Sequence, residues 1–372
     1  MSAPRTKLWP IEPHTRAKHE ILRRYLEAWT AILGTSNQPV IQYVDGFAGP
    51  GAYAGGEEGS PIIALKAALA HQARIPSSTK VRFLFIEEDA DRAAYLDSLV
   101  KALAAPVNFE VKIVCGGFEE KFREIVLDRY VERSRPLPPT FAFIDPFGFS
   151  QTPFELVKTI LSYPRCEVLI NFMYEEVNRF LRHDDHPATF DRLFGTPKWR
   201  NAPTSGVSAR RGFLHDLYVE QLRVDAKARY VRSFEMRNDN DVTDYFLFFA
   251  TNNKVGIKKM KEAMWGVDQT GEFRFSDATN QAQMLLFGKP NFGELQRRIV
   301  DRFVGREVTV DEIEEFVLAD TPFRETHYKR QVLAKLEGSG EIEVVASPPN
   351  RRKNSFPPEL RYRFGRPAAV SS

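Results

Sequence analysis

The chain has 372 residues, 43% of them apolar, enough for two or three domains with sizeable cores. Lys and Arg number 52 against 49 for Asp and Glu, so the formal charge of +3 by itself demands neither a nucleic acid nor a membrane. The two cysteines, Cys115 and Cys166, make neither a zinc site nor a disulfide framework, and both read as small buried residues of a reducing compartment. No stretch approaches the ~20 apolar residues of a membrane span, and Met1 to Pro10 lacks a signal-peptide core. Aromatics at 12% exclude a disordered chain, leaving the expectation of a globular cytoplasmic protein.

Ile21, Tyr25 and Trp29, flanked by Leu22, Leu26 and Leu33, predict an opening amphipathic helix with Arg23, Arg24 and Glu27 outside. Lys18 and His19 read as its exposed start, or alternatively as facing the mouth of a site. Val40 to Val44 predicts a strand running into Gly- and Pro-rich chain, after which Ser60 as cap and Pro61 as first helical residue begin an Ala-rich helix. Strands follow at Val81 to Ile86, Phe109 to Val114, Phe141 to Ile144 and Glu167 to Phe172. Helices alternate with them, starting at Asp89 to Asp91, spanning Glu119 to Glu132 and following Pro153. Apolar strands alternating with helices predict an α/β doubly wound fold, its parallel sheet covered on both faces. Tyr230 to Arg237 and Asp244 to Thr251 predict a closing antiparallel hairpin. The insertion before it, about 174–229, carries Phe180, Phe190, Phe194 and Trp199 with Arg192, Lys198, Arg200, Arg210 and Arg211. It reads either as an overhang that sets acceptor specificity or as a structural cap.

Residues 1–289 thus form one α/β domain, and 290–372 change pattern. Phe292, Leu295, Ile299 and Phe303 stripe one helix, Thr309 with Glu312 makes a capping box for a second, and Tyr328, Val332 and Leu336 stripe a third that Gly338 ends. Ile342 to Val345 and Leu360 to Phe364 pair across a basic loop. Three helices and a hairpin are the winged-helix order, an α+β arrangement. From Thr321 onward ten basic residues face five acidic ones, an excess larger than that of the whole chain. Lys329 and Arg330 on the third helix, with Arg351, Arg352 and Lys353 on the wing, are therefore candidates for binding DNA or RNA, although winged helices also bind proteins.

In a doubly wound sheet, ligands bind at the carboxyl ends of the strands near the switch point. The first strand ends in Asp45-Gly46-Phe47-Ala48-Gly49-Pro50-Gly51, where glycines admit close approach to a ligand. The second ends in Glu87-Glu88-Asp89, carboxylates that either hold a ribose or merely cap a helix. The fourth ends in Asp145-Pro146-Phe147-Gly148-Phe149, where an acid can hold the polar edge of a planar group while a ring stacks on it. His183-Asp184-Asp185-His186 holds metal-ligand types but reads as a solvated loop, so no metal site is expected.

In this order, the Gly-rich loop, the carboxylate and the Asp-Pro-aromatic sequence resemble the class I S-adenosylmethionine-dependent methyltransferases, in particular those acting on exocyclic amino groups of nucleobases. More closely, Lys18-His19-Glu20-Ile21-Leu22 with Tyr25 and Trp29, Asp45 to Gly51, Gly59-Ser60-Pro61 and Phe143 to Gly148 resemble the three-Cys-motif partner protein family. So do Leu193-Phe194-Gly195, Trp199-Arg200 and Met260 to Trp265, and the likeness runs over about residues 5 to 365. It implies association with a separate protein bearing three cysteines. The methyltransferase likeness implies that Asp45, Gly46, Phe47, Ala48, Gly49 and Gly51 cradle the methionine part of S-adenosylmethionine, that Glu87 holds its ribose, and that Gly117 and Phe118 lie by the adenine. It makes Asp145, Pro146 and Phe147 the catalytic motif, with Phe in place of a second Pro and Gly148 in place of the aromatic, so that Phe147 or Phe149 must supply the stacking ring. Methylation of a nucleic acid or nucleotide-like acceptor is the function implied. A non-catalytic partner that recruits another protein to nucleic acid is the alternative.

Overall fold

The computed structural model describes residues 6–131, 136–183, 185–278, 290–352 and 354–365. The chain divides into two units, the first comprising Met1–Val267 with Arg274–Asn280 and the second Asp268–Phe273 with Gln281–Ser372.

The first unit is built on one sheet. Its strands are β1 (Val40–Asp45), β2 (Lys80–Glu87), β3 (Phe109–Cys115), β4 (Thr140–Ile144), β5 (Cys166–Phe172), β6 (Tyr230–Arg237), β7 (Thr243–Thr251) and β8 (Arg274–Ser276). Their spatial order is β3-β2-β1-β4-β5-β7-β6-β8. The first five run parallel, β7 is antiparallel to both β5 and β6, and β8 is parallel to β6. With chain order reversing between β1 and β4, this is the class I methyltransferase-like topology, and its switch point lies where those two strands end. The predicted strands and closing hairpin are all present; β8 was not foreseen.

Every residue of β4, β5 and β7 is buried, as a sheet covered on both faces requires. One cover is α1 (Pro13–Gly34), whose Ile21, Leu22, Tyr25, Leu26 and Trp29 face inward. Tyr25 also donates a hydrogen bond of 2.5 Å to the buried Glu167 of β5. Further cover comes from α2 (Ser60–Leu69), α3 (Ala90–Ala102), α4 (Phe118–Phe122), α5 (Asp128–Val131) and α6 (Phe154–Leu161), with a wide π-turn over Arg123–Leu127 joining α4 to α5. The insertion folds as α7 (Tyr174–Phe180), α8 (Pro187–Phe194) and α9 (Val207–Glu220), and α10 (Lys254–Trp265) follows β7.

The insertion is a structural cap. Phe190, Phe194 and Trp199 are buried in the core, and Phe149 stacks on Phe190 with ring centroids 4.9 Å apart. The insertion's basic residues are spent locally: Arg192 on Glu119, Lys198 on Glu220, Arg200 on Asp191, Arg210 on Asn178 and Arg211 on Glu235. Of the cysteines, Cys166 is buried as expected, but Cys115 is exposed, because β3 is an edge strand and Cys115 is its last residue.

The second unit packs α11 (Phe292–Phe303), α12 (Val310–Asp320), α13 (Glu325–Tyr328) and α14 (Ala334–Ser339) beside a three-stranded antiparallel sheet. Its strands are β9 (Glu307–Thr309), β10 (Ile342–Ala346) and β11 (Arg361–Phe364), with β11 central. A π-turn over Lys329–Leu333 joins α13 to α14 into the expected third helix. Thr309 and Glu312 form the expected capping box. The third helix ends at Gly340, in the left-handed conformation, rather than at Gly338. No helix among the described residues is long and apolar enough to cross a membrane.

Candidate active site

Asp45, the last residue of β1, is fully buried beneath the glycine-rich loop. It accepts hydrogen bonds from the Phe47 N–H at 3.2 Å, from the Tyr43 hydroxyl at 3.3 Å and from Ser60. Burial lifts its pKa to about 7 in spite of these donors. Ser60 is therefore not the helix cap; Gly59 takes that position and frees the hydroxyl for Asp45. Gly46 leaves room for Phe118, since a Cβ there would lie 2.6 Å from the Phe118 ring. Gly49 takes φ +62°, which favours glycine, and turns its N–H toward Glu87.

Glu87 uses one oxygen to accept the Gly49 N–H at 2.8 Å and the other to accept the Asp89 N–H at 2.9 Å. Burial raises its pKa against those two bonds. Asp89 is the residue that caps α3, through the Arg92 N–H. The two readings of the acidic run thus separate, with capping belonging to Asp89 while Glu87 braces the loop.

A cavity of about 430 Å³ opens above the ends of β1 and β4. Phe47, Ala48, Gly49, Gly51, Asp145, Pro146 and Phe147 line it; Asp45, Gly46, Glu87, Gly117 and Phe118 are not on its walls. The insertion contributes nothing, its aromatic and basic residues being absent from the lining. Phe147 meets Trp9 edge-on at 5.7 Å, and the Arg92 guanidinium lies 5.9 Å from its ring. Phe149, stacked on Phe190, is not available as the ring beside Asp145.

At the centre the expected Asp145 is paired with Lys18, for which the alternative reading, facing the mouth of a site, is the one the structure bears out. Lys18 is buried, and its ammonium donates to both oxygens of Asp145, at 2.8 and 2.7 Å. Asn171 Nδ2 donates to Asp145 Oδ1 at 2.6 Å. Lys18 and His19 are thus no exposed helix start. Lys18 stands three and four residues before Ile21 and Leu22, on the buried stripe, which is the signal that would have placed it. His19 is buried with Nδ1 unpartnered, and burial, reinforced by Lys18, lowers its pKa to about 3, so the ring is neutral. Asn171, Asp244, Tyr245, Tyr53, Trp9, Glu12 and His14 are also on the walls and were not singled out from sequence.

Among the described residues no group of His, Cys, Asp and Glu is placed to hold a metal. Asp184 lies outside the described residues; His186 packs edge-on against Phe149 and Phe180. In the second unit Arg330 and Arg352 are exposed, whereas Arg351 is committed to Glu337 at 2.7 Å and to the Tyr362 hydroxyl. Lys329 lies 3.8 Å from Glu314, and Lys353 is outside the described residues.

A family model described as a GMT-like wHTH domain matches residues 274–349. No curated protein matches the chain. Among solved structures it is similar to Trm1 from Pyrococcus horikoshii in complex with S-adenosyl-L-methionine, with 13% identity, TM-score 0.36 and 69% of this chain covered. The match spans 59% of that protein's length. It is also similar to an O-methyltransferase from Bacillus cereus in complex with SAH, with 14% identity, TM-score 0.35, and 65% of this chain and 82% of the other covered. At such scores neither likeness bears on this chain's chemistry.

Proposed function

We propose that the first unit binds S-adenosylmethionine at the carboxyl ends of β1, β2 and β4 and methylates an acceptor held at Asp145. The observation that carries this reading is the cavity at the switch point, floored by the glycine loop and walled by Asp145-Pro146-Phe147. The residues suit such a cofactor. Ala48, Gly49, Gly51 and Gly59 give the cavity wall little side chain, so that backbone can meet a ligand, and Glu87 holds Gly49 through one oxygen while the other accepts the Asp89 N–H. The cofactor, when bound, supplies an electrophilic methyl group. The protein's part is to exclude water and orient the acceptor's lone pair, with Asp145 held rigidly by Lys18 and Asn171.

The second unit, in this proposal, holds nucleic acid through the exposed Arg330 and Arg352, with Lys329 and Lys353 as further proposed contacts. The separate three-cysteine protein implied by the sequence resemblance is its proposed partner. The recruiting-partner alternative draws on Asp145 already being satisfied by Lys18. Transfer of labelled methyl to total DNA, RNA and protein decides between them. Asp145→Asn should retain S-adenosylmethionine binding by calorimetry while transfer falls about 10²-fold or more. Binding without any transfer by the wild type would leave only the recruiting role.

A further inference from the structure

The far wall of the cavity, formed by the start of α1 and by β5 and β7, has a charge that the methyl-transfer reading does not use. His14 lies at the centre of three carboxylates. Its Nδ1 is 2.7 Å from Asp277, and its Nε2 is 3.1 Å from Glu12 and 3.4 Å from Asp244. Burial opposes charge on the ring, but its bonds to Glu12 and Asp277 outweigh that and raise its pKa. Burial, with the neighbouring Glu175 and Glu12 carboxylates adding to it against the pull of His14, lifts the Asp244 pKa to about 6. Three carboxylates thus face one imidazolium, while the nearby Lys18 is cancelled by Asp145.

Two observations turn this imbalance into a site. Asp244 is 4% exposed and lines the cavity, yet its Oδ1 has no partner. Asn171, on the neighbouring strand and also 4% exposed, lines the same cavity and holds a second buried acceptor without a partner, Oδ1. Buried acceptors without donors are costly, and two of them on one anionic wall call for a ligand rich in N–H and carrying positive charge.

We infer that this wall is a subsite for an alkylammonium group, with Asp244 and Asn171 as its hydrogen-bond acceptors and Glu12 at its mouth. Naming that group as the acceptor rests on the methyl-transfer reading; the chemistry of the subsite does not. The group belongs either to a free amine or to a lysine side chain, and the test carries an arm for each.

Calorimetry on the full chain uses cadaverine, the peptide acetyl-Gly-Lys-Gly-amide and, as uncharged control, 1-pentanol, each with and without saturating S-adenosylhomocysteine. Cadaverine should bind once per chain, at least tenfold more tightly than pentanol. Binding should weaken at least fivefold in Asp244→Asn and less in Glu12→Gln, whose side chain is 60% exposed and whose fold is safe. Comparable binding of the peptide assigns the group to protein lysine; its failure assigns it to a free amine. Pentanol-level affinity, or indifference to both substitutions, overturns the subsite. So does competition with S-adenosylhomocysteine, because the wall would then hold the cofactor's own ammonium. Amine binding that depends on Asp244 in a protein that binds no S-adenosylhomocysteine supports the subsite and overturns methyl transfer.

Discussion

Replacing Lys18 by Met tests whether the Lys18–Asp145 pair is the electrostatic centre of the cavity. The side chains are 7% and 19% exposed, so both charges are largely out of water. Removing the ammonium deletes two hydrogen bonds, at 2.8 and 2.7 Å, and leaves Asp145 with the single bond from Asn171. Breaking a buried pair from one side costs about 3–5 kcal/mol, and the residual exposure of Asp145 places this case at the lower end, about 3 kcal/mol. For a unit of this size that is a fall in Tm of roughly 6–12 °C. The assay is built into the sequence, because Trp9, Trp29, Trp199 and Trp265 all lie in the first unit and tryptophan fluorescence follows its unfolding alone. Asp145→Asn leaves the ammonium unpaired, while the double variant removes both charges. The cycle should therefore return a coupling of about 2 kcal/mol or more. A coupling below about 0.5 kcal/mol would refute the argument, since the contact would then be a surface pair in energetic terms.

Two further outcomes follow from named groups. Asp45 has a folded pKa of about 7, above its unfolded value, so it contributes stability that is complete below about pH 4 and is lost as pH rises through 7. From pH 5 to 8 the wild type should lose about 2–3 kcal/mol relative to Asp45→Asn, and parallel pH profiles in denaturant titrations would show the carboxyl to be ionised throughout. In the second unit, neutralising Arg330 or Arg352 should each lower the salt slope of duplex binding by about one, whereas Arg351→Ala should destabilise the wing through its lost bonds to Glu337 and Tyr362. Equal effects of all three on the salt slope alone would show that Arg351 is free to meet phosphate.

The sheet was legible because its signal is local. Short, largely apolar runs such as Phe141 to Ile144 and Glu167 to Phe172, bounded by turn residues, read as buried strands, and helices between them favour parallel pairing. β8 escaped because Arg274–Ser276 is three residues long and has no periodicity to read; only its pairing with Glu235–Arg237 defines it. The exposure of Cys115 escaped for a related reason, because nothing within a strand's own sequence says that it lies at the sheet edge.

The site divides along the same line. The glycine loop, Glu87 and Asp145 announce themselves by residue type at a strand end, and the cavity does open among their neighbours. What sets its charge comes from elsewhere in the chain. Lys18 reaches Asp145 across 127 positions, and His14 reaches Asp277 across 263. A lysine on an apolar stripe is an ambiguous sign in isolation, since its long stem can lie along a core face with the ammonium carried out to water. Only the sheet, by bringing β4 and β5 under the first turns of α1, gives that ammonium a buried carboxylate to meet. The tertiary fold thus turns Lys18 from a solvated charge into half of the ion pair that fixes Asp145, and leaves Asp244 and Asn171 as the acceptors still without donors.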